Sequence, residues 1–305
     1  MKSRHYRVYD VFTDKVLAGN PLAVVFDADG LDKAGMQRIA REFNLSETVF
    51  VKPAENSIHT ARLGIFTPAH ELPFAGHPTV GAAIALAERA REEGRDERTS
   101  ILVLEENVGP VRCVVSAGNG VAFAEFDLPR LPQEIPVNAA PEAVAAALGL
   151  AHHEIGFENH TISAWSAGVP YVCVPVADLG VAAKARANAD MWRGLAPIED
   201  GVWGDPYVYC RETVNHDCSF HARMFAPLSG IIEDPATGSA AAAFAGAIMR
   251  FDEPVDGPNR FWIEQGMEMG RPSRIRLELD VEGGGIETGR IGGHAVMVAE
   301  GQFFA

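Results

Sequence analysis

A chain of 305 residues, 47% of them apolar, exceeds what one hydrophobic core usually organises and predicts two globular domains of about 150 residues. Its formal charge of −15 is spread along the chain, which argues against nucleic acid or an anionic membrane as partner and favours a small molecule. No stretch approaches roughly 20 uninterrupted apolar residues, and the opening "MKSRHYRVYDVF" alternates like a strand, so the expectation is a cytoplasmic protein with no membrane contact.

In the first half, short β-rich runs lie at Tyr6 to Phe12, Leu22 to Phe26, Thr48 to Val51 and Ala61 to Thr67. Further runs follow at Ser100 to Val108, Val111 to Ser116 and Val121 to Leu128. Helices are expected near Leu31 to Phe43 and from Pro78 to about Glu93, the second stopped by Gly94. "LPRLPQEIPVNAAPE", from Leu128 to Glu142, gathers four prolines and reads as the linker. The second half then offers helices near Pro141 to Leu148, Leu179 to Arg193 and Pro235 to Arg250. The last of these is nearly free of charge and should be buried on most sides. The domains are therefore expected at 1–130 and 131–305, with the option left open that the last strand crosses back to the first.

The two halves repeat one another. "GHPTVGAAIA" from Gly76 lies in register with "EDPATGSAAA" from Glu233, matching Pro78 to Pro235 and Gly81 to Gly238, with His77 opposite Asp234. "GNPLAVV" answers "GVPYVCV", "TVFV" answers "YVYC" and "FTP" answers "FAP", all in the same order. Such order is better explained by duplication than by chance, and two similar halves place a site naturally between them.

His77-Pro78 and Asp234-Pro235 both read as helix starts, the residue before each proline acting as cap. Aspartate is a preferred cap and histidine is not, which singles out His77. Two helix starts aimed at one cleft would present backbone N–H groups and positive dipole ends to a carboxylate or phosphate; Gly76, Thr79, Thr237, Gly238 and Ser239 are the candidate binding residues. Glu47, between Leu45 and the apolar Val49-Phe50-Val51 run, is a candidate acid/base whose partial desolvation would raise its pKa. The plainer alternative is a strand-end glutamate on the surface.

The four cysteines, Cys113, Cys173, Cys210 and Cys218, lack paired spacing and read as reduced thiols. Cys210, His216, Cys218 and His221 have the residue types of a zinc site without its CxxC or HxxxH spacing, so no metal is expected. "EGGG" from Glu282 reads as a hairpin turn, and His294 as a satisfied strand residue.

Taken together, "DVFT", "GNPLAVV", "NLSETVFV", "FTPAHELPFAGHPTVGAA", "EDPATGSAAAA", "QGMEMGRPS" and "GGHAVMVAEG" resemble the phenazine biosynthesis PhzF-like family, within the diaminopimelate epimerase-like fold. The resemblance covers nearly the whole chain. It implies an α+β protein of two pseudo-symmetric domains, each a mostly antiparallel strand barrel around a central helix. It also implies a cofactor-free isomerase working as a homodimer, whose characterised reaction moves a proton between ring carbons of a dihydro-hydroxyanthranilate. Carried over by position, Glu47 is the catalytic acid/base, His77, Asp234 and Ser239 are supporting polar groups, and Gly76 lines the site. The related epimerases use a cysteine at each helix start; none stands there here, which disfavours two-thiol racemisation. A non-catalytic binding protein on the same scaffold and a cysteine-independent epimerase stay open as alternatives.

Overall fold

The computed structural model describes residues 2–95, 98–117, 120–195 and 204–304. The strands and helices of the first half are β1 (Ser3–Val11), β2 (Asn20–Val25), α1 (Lys33–Phe43), β3 (Glu47–Lys52), β4 (Ala61–Phe66), β5 (Glu71–Leu72), α2 (Gly76–Glu92), β6 (Thr99–Glu106), β7 (Gly109–Ser116) and β8 (Phe123–Asp127). There follow β9 (Gln133–Ile135), α3 (Pro141–Ala147), β10 (Ser163–Ser166), β11 (Pro170–Pro175), α4 (Leu179–Lys184), α5 (Ala189–Gly194), β12 (Asp205–Cys210) and β13 (Phe220–Ala226). The chain ends with β14 (Ile231–Asp234), α6 (Gly238–Phe251), β15 (Gly257–Gln265), β16 (Ser273–Glu282) and β17 (Gly285–Phe304). It divides into two compact units, one made of Met1–Pro129 with Gly292–Ala305 and the other of Arg130–Ile291.

In the first unit β1 pairs antiparallel with β2, β2 parallel with β3, β3 antiparallel with β4, and β4 parallel with β6. The ladder continues antiparallel through β7 and β8, and the C-terminal part of β17 joins β8 to β1, closing the ring. Closure leaves no free edge, which suits a sheet whose inner face is apolar. Inside lies α2, whose residues from Gly76 to Ala85 are all buried. Its alanines and glycines let the backbone come close to the wall. A Cβ at Gly81 would stand 2.5 Å from Leu22 Cδ2 and 2.9 Å from Val11 Cγ2, so only glycine fits that turn of the helix.

The second unit repeats this connectivity. β10 and β11 are antiparallel, β11 and β12 parallel, β12 and β13 antiparallel, β13 and β15 parallel, and β15 and β16 antiparallel. Its central helix α6 is buried from Ala240 to Ile248 and carries its own close approach, where a Cβ on Gly246 would meet the Trp165 ring at 2.1 Å. Even the turn supports are duplicated. Glu105 accepts the N–H groups of Glu55 and Asn56 together with His59 Nδ1, while Glu264 accepts those of Val214 and Asn215 together with His221 Nδ1. The mixed α+β architecture of two strand-wrapped helices is the one the resemblance implies.

Three details depart from the sequence reading. The proline-rich stretch contains β9, which pairs with β10, so it is an edge strand of the second unit and not only a linker; prolines flank the paired residues and leave their N–H groups intact. The expected helix from Leu179 to Arg193 is split, because the backbone between α4 and α5 turns its N–H groups onto the end of α3, Arg186 N–H to Leu148 O and Asn188 N–H to Ala147 O. Neither central helix starts at its proline. α2 begins at Gly76 with Ala75 as cap, which puts His77 and Pro78 inside the first turn, whereas α6 begins only at Gly238 with Thr237 as cap. Proline lacks an N–H, and none of the first-turn N–H groups has an intrahelical acceptor, so the residue is tolerated throughout that turn and does not fix its first position.

Overpacking at the helix–wall contact should be measurable. Gly246→Ala is expected to lower stability by about 1–3 kcal/mol in chemical denaturation, whereas Gly194→Ala in the exposed last turn of α5, where a Cβ meets nothing within 4 Å, should not. Equal midpoints for the two variants would refute the close approach.

Candidate active site

In the first unit the side chains of interest come from three neighbouring elements. The crossover helix α1 is capped at its start by Asp32, which accepts from Gly35 N–H at 2.7 Å, and is ended by Asn44 in the left-handed region. Three residues later the chain enters β3, and Glu47 is its first residue, in parallel register with Leu22 of β2. Asn20 opens β2. Gly19 before it has φ +64°, and a Cβ there would lie 2.3 Å from Val11 O, so glycine sets the entry that delivers Asn20.

His77 joins them from the first turn of α2. It is 5% exposed, with Nε2 3.3 Å from Glu47 Oε2 and Nδ1 3.3 Å from Asn20 Nδ2. Burial pushes the imidazolium down to about 3, so the ring is neutral at physiological pH. The Asn20 amide donates to Nδ1, which leaves the single ring proton on Nε2; the 3.3 Å approach of Nε2 to Glu47 Oε2 is a close polar contact without hydrogen-bond alignment. A neutral, oriented N–H thus faces an acidic side chain at the N-terminal end of a helix, where the dipole also favours negative charge. The arrangement suits a carboxylate that gains and loses a proton, because its donor neither competes for that proton nor changes charge.

The structure places the remaining expected residues as follows. Gly76 and His77 open the first turn of α2, whose backbone N–H groups have no intrahelical acceptor. Thr79 is turned inward, its N–H to Ala75 O and its hydroxyl against Ala75 O and Glu106 Oε1 at 2.8 Å each, so it is not the open donor expected from the sequence. In the second unit Asp234 ends β14 and its Oδ2 accepts from Thr237 Oγ1 at 2.6 Å. Thr237 N–H lies 3.3 Å from Gln265 Oε1 and so is also engaged. Gly238 and Ser239 open α6, and Ser239 Oγ is 2.8 Å from the Tyr171 hydroxyl. Sequence reasoning missed Asn20, Tyr171, Glu106 and Gln265. Asn20 was signalled by its place in "GNP", and the last two by an unread repeat, "LEEN" against "IEQG".

Two of the residues considered for zinc do other work. His221 gives Nδ1 to Glu264 at 2.9 Å and Nε2 to Glu268 at 3.1 Å; burial alone would lower its pKa, but the two carboxylates outweigh that and hold it up at about 9. Cys210 Sγ lies 3.3 Å from Glu212 O, and all four cysteines are free thiols. His294 Nδ1 is satisfied by the carbonyls of Val121 and Ala122. "EGGG" turns β16 into β17, with Gly283 and Gly284 both at positive φ. Among the described residues no helix is long and apolar enough to cross a membrane.

Comparison with known proteins accounts for this frame. The family model described as phenazine biosynthesis-like protein matches residues 9–301. The chain belongs to that family. The family's fold is seen in a Bacillus anthracis PhzF-family crystal structure, which is 29% identical and superposes with a TM-score of 0.88 over 100% of both chains. An uncharacterized isomerase of Mesorhizobium japonicum is 62% identical over 305 residues, 100% of either chain. The trans-2,3-dihydro-3-hydroxyanthranilate isomerase of Pseudomonas aeruginosa is 35% identical over 98% of this chain and 99% of its own. With these phenazine biosynthesis-like relatives the chain is an isomerase.

The neutral His77 carries a pH signature. Unfolded, the ring binds its proton below about 6.5; folded, it does so only near 3. Its contribution to stability is therefore present above pH 6.5 and is lost as pH falls toward 3. Relative to His77→Asn, the wild type should lose about 2 kcal/mol of unfolding free energy between pH 7 and pH 5 in denaturant titrations. Parallel curves for the two proteins would show that the folded ring ionises at its ordinary pKa.

Proposed function

We propose that the enzyme moves a proton between two carbons of a small, unsaturated, carboxylate-bearing substrate, with Glu47 as the general acid/base. The observation that carries this reading is the 3.3 Å approach of Glu47 to a buried, neutral His77. The Glu47 carboxylate takes a proton from a saturated carbon, and the electron pair left behind spreads over the adjacent unsaturated system. The protonated Glu47 then delivers a proton to another carbon of that system. Bonds are rearranged, nothing is oxidised or reduced, and no cofactor enters the balance. His77 Nε2–H stabilises the carboxylate before abstraction and after return. The backbone N–H groups of Gly76 and His77 are proposed to bind the substrate anion at the helix start; within the second unit, Asp234, Gly238 and Ser239 are the proposed polar binding groups. The substrate named for the P. aeruginosa relative belongs to this chemical class, which supports the reading. The proposal extends to a cytoplasmic homodimer, which light scattering checks as twice the 32.8 kDa chain mass.

Glu47→Gln keeps the size and much of the hydrogen bonding but cannot accept the proton. Turnover, followed by proton NMR in deuterated water with dihydro-hydroxyanthranilate-type substrates, should fall by roughly two to four decades while thermal stability persists. Wild-type enzyme should also place solvent deuterium at the carbon that gains hydrogen. Undiminished turnover in Glu47→Gln would remove Glu47 from the role.

A further inference from the structure

Glu106, the last residue of β6, is 5% exposed, and its Oε2 has no hydrogen-bond partner among the described residues. Its Oε1 lies 2.8 Å from Thr79 Oγ1, and that hydroxyl lies 2.8 Å from Ala75 O as well. Thr79 has a single hydroxyl hydrogen, while the Ala75 carbonyl and a carboxylate can only accept. Both short contacts are satisfied at once when Thr79 donates to Ala75 O and accepts from a protonated Glu106.

The second unit contains the same device with a permanent donor. Gln265 follows Glu264 as Glu106 follows Glu105, and both pairs sit in matching parallel registers, Arg62 beside Glu105 and His221 beside Glu264. Gln265 Nε2 donates to Thr237 Oγ1 at 3.0 Å, and Thr237 Oγ1 donates to Asp234 Oδ2 at 2.6 Å. The order is amide N–H to hydroxyl to acceptor at the start of the central helix. A neutral carboxylic acid is the isostere that performs this in the first unit.

We propose that Glu106 is held as a neutral carboxylic acid whose proton, donated through Thr79 to the Ala75 carbonyl, fixes the first turn of α2 and so positions His77. Glu106 touches no reacting atom in this account; it is a positioning residue. Its surroundings support the protonated form. Burial pushes the Glu106 carboxyl up to about 8, against which the Thr79 hydrogen bond is the smaller effect. On β7 the Cys113 thiol, itself raised by burial and then by charge at Glu106, is no counter-charge, and Arg112 is paired with Asp127 of β8 at 3.2 Å. Glu105 is turned to His59 and the Glu55-Asn56 turn, and from α2 the group that meets Glu106 is Thr79.

The test compares wild type with Glu106→Gln, which installs the donor found in the second unit, and Glu106→Leu, which removes it; none of the readouts requires turnover. Infrared difference spectra of wild type against Glu106→Gln should show a protonated carboxyl stretch at pH 7 that disappears as pH rises through about 8. The unfolded glutamate ionises near 4.5 and the folded one near 8, so its stabilising effect is complete below 4.5 and is lost as pH rises to 8. The Tm of wild type relative to Glu106→Gln should therefore fall by roughly several degrees from pH 5 to pH 8 and then level off. The ring nitrogen shifts of His77 should be alike in wild type and Glu106→Gln at pH 7. Above pH 9 they should move in wild type alone, and in Glu106→Leu they should differ throughout. Should Glu106→Leu fail to fold, the other two proteins still decide. An ionised carboxyl band at pH 7, or a Tm difference that does not vary with pH, overturns the proposal.

Discussion

Both units depend on enclosing a helix inside strands. An ordinary amphipathic helix shows one face to water, but α2 from Gly76 to Ala85 and α6 from Ala240 to Ile248 are buried on every side, and they can be enclosed only because alanine and glycine let the wall close to within van der Waals contact of the helix backbone. That enclosure strips water from the first helical turn together with the rest. A histidine there loses the solvation that would stabilise its charged form, and a carboxyl beneath it loses the solvation that would stabilise its anion. The unusual protonation states at His77 and Glu106 are thus products of the packing that holds the fold together.

The duplicated frame shows how one scaffold supports unequal chemistry. Strand order, turn supports and central helices recur, while the polar residues at the helix starts diverge. One unit has Glu47, His77 and Glu106; the other has Asp234, Thr237 and Gln265. Divergence at those positions, against a background of repeated structural devices, is what the proposed division between groups that maintain the barrel and groups that serve the chemistry rests on.

Much of this was legible in the sequence because duplication writes the fold twice. The matched segments "GNPLAVV" and "GVPYVCV", then "TVFV" and "YVYC", land on β2 with β11 and on β3 with β12. His77 could be singled out because histidine is an odd choice for a cap, and Glu47 because it adjoins an apolar run. What escaped was set by groups far apart in sequence. The helix starts shifted because α2 gains an extra turn that α6 does not, and proline allows either. The break between α4 and α5 depends on carbonyls of α3, which no local pattern reports. Asn20 gains its place in the site through the imidazole it meets. Glu106 looked like one charge among many at a strand end, and its neutrality follows from a hydroxyl with one hydrogen and two claimants.

The long strand β17 has a consequence for how the molecule is made. Its residues up to Ile291 belong to the second unit, and those from Gly292 close the ring of the first between β8 and β1. On the ribosome, β1 and β8 are therefore synthesised long before the segment that will separate them from solvent. Through the translation of more than half the chain, the N-terminal half carries two exposed strand edges that could recruit β-strands from other nascent chains. Such an assembly cannot mature vectorially, one domain after the other. The segment from Gly292 must be made before the sheet of the first unit can be sealed, which ties the folding of that unit to synthesis through β17.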